Sequence, residues 1–199
     1  MSNTVSIFVY GSFCEGMVHY DRVAKYVKSC NPARARGTAY RLPVGYPVFL
    51  DEGQDEVDGQ VLELEAPSVL FTLLDEFHGV MPTHPAKSLF FKKEIEAEVE
   101  GTVKRVFTYV VNPAKLPRNC KPIDNGDWRS ELDKDPAVTT TLTDRQAEYV
   151  RRLGSSTGRE IVPINLELYR ELMKLDLIVD KGRRLALSKL GREVFRYMS

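Results

Sequence analysis

The stretch Val9-Tyr10-Gly11-Ser12-Phe13-Cys14-Glu15-Gly16 is the part of this sequence best suited to chemistry. A short apolar run, Val5–Tyr10 broken by Ser6, delivers a glycine-containing loop at its C-terminal end, the pattern of a buried strand that ends in a turn. Successive backbone N–H groups in such a loop can point the same way and form a nest for a carboxylate or phosphate. Glycine permits the close approach and the unusual dihedrals that a nest needs. The same residues also fit a plain turn between strand and loop, and their spacing does not separate the two readings.

Other reactive side chains are few. His19, His78 and His84 show neither HxH nor HExxH spacing, which predicts no metal site; His19 and His84 fall in loops and are expected at the surface. Cys14, Cys30 and Cys120 are an odd number without CxxC spacing, as expected of reduced thiols rather than a disulfide framework or a zinc site. Cys14 has no predicted helix N-terminus or basic neighbour to activate it, so it reads as a semi-buried, inert thiol. Trp128 reads as a packing anchor. No phosphate-binding P-loop or dinucleotide motif is present.

The elements that must position these residues are legible in the hydrophobic pattern. Ile95, Ala97 and Val99 alternate with Glu94, Glu96 and Glu98, the period of a half-buried strand; Glu100-Gly101 turns, and Val103–Val111 returns, which predicts a hairpin. Leu70, Leu73, Leu74 and Phe77 share one face of a helix over Pro67–Phe77, with Pro67 in the first turn and Gly79 just past the end. Asn112–Pro136, with its prolines and Asn125-Gly126-Asp127, reads as a loop, ordered or loose. Thr143-Asp-Arg-Gln146 is a capping-box pattern opening a helix to about Leu153. A second helix is predicted from the N-cap Asn165 to Leu175, burying Leu168, Leu172 and Leu175. A small hairpin over 178–187 and a helix from Ser188 follow. The fold class expected is α+β, in two parts: residues 1–132, and a small, mainly helical C-terminal module over 143–199 with a β-hairpin.

Composition narrows the function. The 199 residues carry 28 Lys and Arg against 28 Asp and Glu, 43% hydrophobic and 10% aromatic residues, the profile of an ordinary globular chain rather than a disordered or fibrous one. Zero formal charge argues against a dedicated polyanion binder. The apolar runs fall far short of a membrane span, and Met1–Thr4 has no basic signal-peptide start; with the reduced cysteines this places the protein in the cytoplasm. From residue 143 on there are 12 basic against 8 acidic residues, and before it 16 against 20.

Read in order, several segments resemble the γ-glutamylcyclotransferase-like family, in its γ-glutamylamine cyclotransferase and AIG2-like branch. Tyr10-Gly11-Ser12-Phe13 resembles the family's Tyr-Gly-Ser/Thr-Leu loop, Tyr46-Pro47-Val48 its Tyr-Pro segment, and Asp58-Gly59-Gln60-Val61-Leu62 its Gly-Glu-Val/Ile-Tyr strand. Leu74-Asp75-Glu76-Phe77-His78-Gly79 resembles its Leu-Asp-x-Phe/Tyr-Glu-Gly helix end, and Phe107-Thr108-Tyr109-Val110 and Gly126-Asp127-Trp128 also have counterparts. The resemblance spans about residues 5–132. It implies a mixed β-barrel with flanking helices and, without a cofactor, release of 5-oxoproline from a small γ-glutamyl amine or amino acid. Substrate-binding residues would be Tyr10, Gly11, Ser12 and Phe13.

The resemblance places His78 where the family has its catalytic Glu. At a helix C-terminus, with Asp75 and Glu76 near, the field favours the imidazolium, which cannot act as a base, whereas the same field would make a glutamate more basic. Three readings of His78 stay open: a helix-end histidine without a catalytic role, a ligand contact in a non-catalytic pocket, and a substitute base. Glu76 is a second candidate base, although two residues back on a helix it points some 200° away. Glu15 reverses the charge of a position that is basic in the family. A catalytically inactive relative that binds an amino-acid-like ligand, with a regulatory C-terminal module, is the alternative function.

That module resembles the second half of a winged-helix domain, with Lys181, Arg183 and Arg184 on the wing. Its modest charge argues against nucleic acid as a partner, and helical packing or a homodimer interface is the expected use.

Overall fold

Residues 5–157 and 160–198 are described by the structure, a computed structural model. The first two thirds of the chain contain five long-range-paired strands: β1 (Ser6–Val9), β2 (Val27–Arg36), β5 (Glu56–Leu64), β6 (Phe90–Val99) and β7 (Thr102–Val111). They form a closed barrel in the order β1-β5-β2-β6-β7. Neighbours are antiparallel except for β1 and β7, which run parallel and meet at Ile7 opposite Phe107. Across that closure the buried Thr108 hydroxyl donates to the Phe8 carbonyl at 2.9 Å, satisfying both groups where ladder bonds are few. A second sheet joins β3 (Thr38–Arg41), β4 (Pro47–Leu50) and the two-residue β8 (Lys121–Pro122). A single helical turn, α1 (Tyr20–Val23), lies between β1 and β2.

The predicted hairpin and helix are present. Phe90 pairs with Val111 and Val99 with Thr102 around the Glu100-Gly101 turn, and Ala97 and Val99 point inward while Glu96 and Glu98 stay exposed. Helix α2 spans Pro67–Phe77, buries Leu70 and Leu74, and ends at His78. β2 escaped the sequence reading because its only buried apolar residues are Ala33 and Ala35; it is a strand because β5 pairs along its length and β6 pairs with Ala33–Ala35.

The segment Asn112–Pro136 is ordered and is not loop throughout. It contains β8 and a further helix, α3 (Trp128–Lys134). Trp128 is 1% exposed, and its indole N–H donates to the Asp58 carbonyl at 2.7 Å, the anchoring expected of it. Asp127 sits at the start of α3 and accepts from the Ser130 amide (3.1 Å) and hydroxyl (2.6 Å), bonds that lower its pKa. Asp127 before Trp128 was the cap signal available in the sequence.

The chain divides into two compact units, Met1–Leu42 with Tyr46–Lys134, and Pro43–Gly45 with Asp135–Ser199. The second unit contains α4 (Val138–Thr141), α5 (Asp144–Ser155), α6 (Leu166–Lys174), the antiparallel pair β9 (Ile178–Asp180) and β10 (Leu185–Leu187), and α7 (Lys189–Met198). Thr143 and Gln146 form a reciprocal capping box, the Gln146 amide donating to the Thr143 hydroxyl and the Thr143 amide to the Gln146 side chain. Asn165 caps α6 by accepting from the Leu168 amide at 2.9 Å. Leu168 and Leu172 are buried as expected, but Leu175 follows the last helical residue and is 40% exposed. Lys181, Arg183 and Arg184 lie exposed on the β9–β10 turn.

Two stability outcomes follow from this packing. A Cβ at Gly59 would lie 2.5 Å from the Phe8 ring and from the Val9 carbonyl, so Gly59→Ala should lower the unfolding free energy by about 1–3 kcal/mol, read from the denaturant midpoint. Thr143→Ala removes one capping acceptor and should cost about 1 kcal/mol in the same measurement.

Candidate functional site

β1 ends at Val9, and the chain enters a 3-10 turn over Gly11–Phe13. The first amide that this turn bonds is that of Cys14, which donates to the Gly11 carbonyl at 3.1 Å, so the amides of Gly11, Ser12 and Phe13 come before the bonded part of the turn. Gly11 has φ of +72°, and a Cβ there would lie 2.8 Å from Pro47 Cγ. This contact explains why a Tyr46-Pro47 segment accompanies the loop: the proline ring packs where only a glycine leaves room. The loop is then closed by the His19 amide donating to the Ser12 carbonyl at 2.8 Å.

α2 brings its end to the same place. The His78 ring stacks on Tyr109 of β7, with centroids 4.1 Å apart and planes 5° from parallel, and meets Phe90 edge-on and Phe13 at a tilt. His78 Nδ1 lies 2.8 Å from the Leu74 carbonyl. A carbonyl can only accept, so Nδ1 carries the hydrogen, and in the neutral ring Nε2 is the nitrogen with the lone pair. The Tyr109 hydroxyl donates to Asp75 Oδ1 at 2.5 Å, and the other Asp75 oxygen accepts from Lys92 at 2.8 Å. Tyr10 in turn donates its hydroxyl to the Tyr109 carbonyl at 2.5 Å.

The sequence-predicted residues meet only in part. A cavity of about 20 Å³, room for one water molecule, is lined by Ile7, Phe8, Val9, Tyr10, Phe13, Leu74, His78 and Tyr109. Tyr10, Phe13 and His78 thus come together. Gly11 and Ser12 are buried in the turn beside them and do not line the cavity. Glu76 does not line it either and is exposed. The field expected at His78 also changes in detail, because the ion-pair partner of Asp75 is Lys92. Glu15 is exposed on the loop, where its amide donates to the Gln60 side chain at 2.6 Å.

His19 corrects an expectation. It is 2% exposed rather than at the surface, with its ring packed against Phe13 and Phe77, because the turn from Ser12 folds it under the loop. His84 is exposed. Among the described residues no three His, Cys, Asp or Glu side chains gather as a metal site, and no helix is long and apolar enough to cross a membrane. Sequence reasoning left Tyr109 and Asp75 outside the site although both lie in the segments that carried the resemblance. Their roles come from a pairing 34 residues apart, which no local pattern signals.

This closed five-stranded barrel, with a glycine turn after its first strand and a helix end packed beside it, is the γ-glutamylcyclotransferase-like fold. Residues 7–130 match the family model described as Gamma-glutamyl cyclotransferase, AIG2-like, and the chain belongs to that family. Among solved structures, the chain is similar to YkqA from Bacillus subtilis, with 20% identity over 65% of this chain and a TM-score of 0.49; the match spans 41% of the YkqA chain. It is also similar to an AIG2-like protein of Mus musculus, with 17% identity, 58% of this chain, 80% of that one and a TM-score of 0.43. An Arabidopsis thaliana protein solved in solution shares 18% identity over 83% of this chain and 96% of its own, with a TM-score of 0.47. No curated protein matches the chain.

Cys14 lies at the base of the turn, fully buried, and burial is the main cause that pushes its thiol up to about 12, with smaller opposing contributions led by Arg129. At pH 8 it should therefore resist a thiol reagent in the native protein while Cys30 and Cys120, both partly exposed, react faster, as read by mass spectrometry of each cysteine peptide. In the folded chain the proton is held to about pH 12 but in the unfolded chain only to about 9, so stability should decline as pH rises between those values, less so for Cys14→Ala.

Proposed function

We propose that this protein is a cyclotransferase that releases 5-oxoproline from a small γ-glutamyl amine or amino acid, with His78 as the proton acceptor. The observation that carries this reading is the Nδ1 bond to the Leu74 carbonyl, which holds the tautomer whose Nε2 can take a proton, on a ring that lines the same cavity as Tyr10 and Phe13. Hydrogen-bonding a histidine through one nitrogen so that the other can act as a base is a general device of acid–base catalysis.

In the reaction the amides of the Gly11–Phe13 turn hold the substrate α-carboxylate, and the γ-glutamyl chain folds back on itself. The α-amine lone pair attacks the γ-carbonyl carbon, forming the ring C–N bond, and its proton passes to His78 Nε2. The bond from that carbon to the departing nitrogen then breaks, and the imidazolium returns the proton to the leaving amine. Products are 5-oxoproline and a free amine, with no redox change. Because amine and carbonyl belong to one molecule, orientation supplies much of the rate, and no cofactor is required.

One observation favours the second reading, a relative that binds an amino-acid-like ligand without turnover. The cavity holds about one water, and among the described residues no carboxylate lines it. Assay of 5-oxoproline release over a panel of γ-glutamyl amino acids and amines separates the two. The unaltered protein is expected to turn over, His78→Gln to lose about 100-fold, and His78→Glu to retain activity. Turnover confined to His78→Glu means the second reading is correct.

A further inference from the structure

Tyr109 touches all three elements around the cavity. Its carbonyl accepts from Tyr10 at the end of β1, its hydroxyl donates to Asp75 of α2, and its ring lies flat on His78 just past α2. Asp75 is held from the other side by Lys92 of β6. Tyr109 is 3% exposed, and Tyr10, the loop residue that it anchors, packs its own ring 5.5 Å from Phe49. A side chain with one rotatable ring cannot satisfy the hydroxyl bond and the flat stack together unless both partners are placed, so the geometry is mutually determined.

We infer that Asp75 and Tyr109 form a positioning pair that sets the orientation and tautomer of the His78 ring. The inference rests on the proposed role of His78, and it assigns neither residue a contact with substrate. Asp75 fixes the tilt of the Tyr109 ring through the hydroxyl, and the ring in turn fixes the plane in which His78 Nδ1–H reaches the Leu74 carbonyl. Lys92 keeps the carboxylate from turning away. The neutral ring of a free histidine side chain prefers the hydrogen on Nε2, so the Nδ1–H that the Leu74 carbonyl requires is imposed by the surroundings.

The test reads the tautomer directly by ¹⁵N NMR of the histidine side chains, with 5-oxoproline release measured on the same samples. In the unaltered protein His78 is expected to show the Nδ1–H form. Tyr109→Phe keeps a ring but loses the bond to Asp75, and Asp75→Ala loses the acceptor; both are expected to mix the tautomers and to lower kcat about 10-fold or more with KM changed less. Asp75→Asn keeps an acceptor for the hydroxyl and is expected to retain the Nδ1–H form, which also guards against a mere loss of folding. If Tyr109→Phe and Asp75→Ala leave the tautomer unchanged, the positioning role is overturned even where activity persists. If the unaltered protein releases no 5-oxoproline, the base reading fails while the NMR result still decides the positioning.

Discussion

Closure of the barrel between β1 and β7 is the constraint on which the rest of the site depends. The two strands come from opposite ends of the barrel sequence and meet in parallel at Ile7 and Phe107, with the buried Thr108 hydroxyl bonded to the Phe8 carbonyl. A closed sheet has no free edge, so backbone groups on these strands find partners within the sheet rather than in solvent. Because the strands run the same way, they end at the same rim. The glycine turn after β1 and the last residues of β7 are therefore neighbours, and Tyr10 meets Tyr109 although 99 residues separate them.

Onto that rim α2 delivers its C-terminal end. The helix is held by Leu70 and Leu74 in the core and by the Phe71–Phe107 edge contact, with centroids 5.2 Å apart. Phe13, Phe77, Phe90 and Tyr109 then surround His78 with rings. Each aromatic pair is worth about 0.5–1.5 kcal/mol beyond the area it buries, so the imidazole is placed by packing as much as by its hydrogen bond. Much of the charge near it is accounted for: one Asp75 oxygen meets Lys92, and the other accepts a hydrogen bond from the Tyr109 hydroxyl, an arrangement that raises the pKa of Tyr109 through burial first and the Asp75 bond second.

This packing also explains the small size of the cavity. The turn residues Gly11, Ser12 and Phe13 are all buried, His19 packs against Phe13, and the His78 ring lies flat on Tyr109. On the proposed function, a cavity with room for one water admits a γ-glutamyl group only if the loop and the rings move apart.

Local chemistry was legible in the sequence wherever it depends on neighbours in the chain. The hairpin around Glu100-Gly101, the limits of α2, the capping box at Thr143 and the cap at Asn165 all follow from side chains close to one another in sequence. The glycine loop and the ordered segments that resemble the family belong to the same class, since they are contiguous motifs. β2, the burial of His19 and the Tyr109 ring that stacks on His78 do not, because each is decided by a strand or ring distant in sequence. The sequence determined which residues could form a nest or take a proton. Only the tertiary structure decided that Tyr109 and Asp75 stand beside them, that Glu76 does not, and that the His78 ring lies flat on Tyr109, since these depend on barrel closure bringing β1, α2 and β7 to one rim.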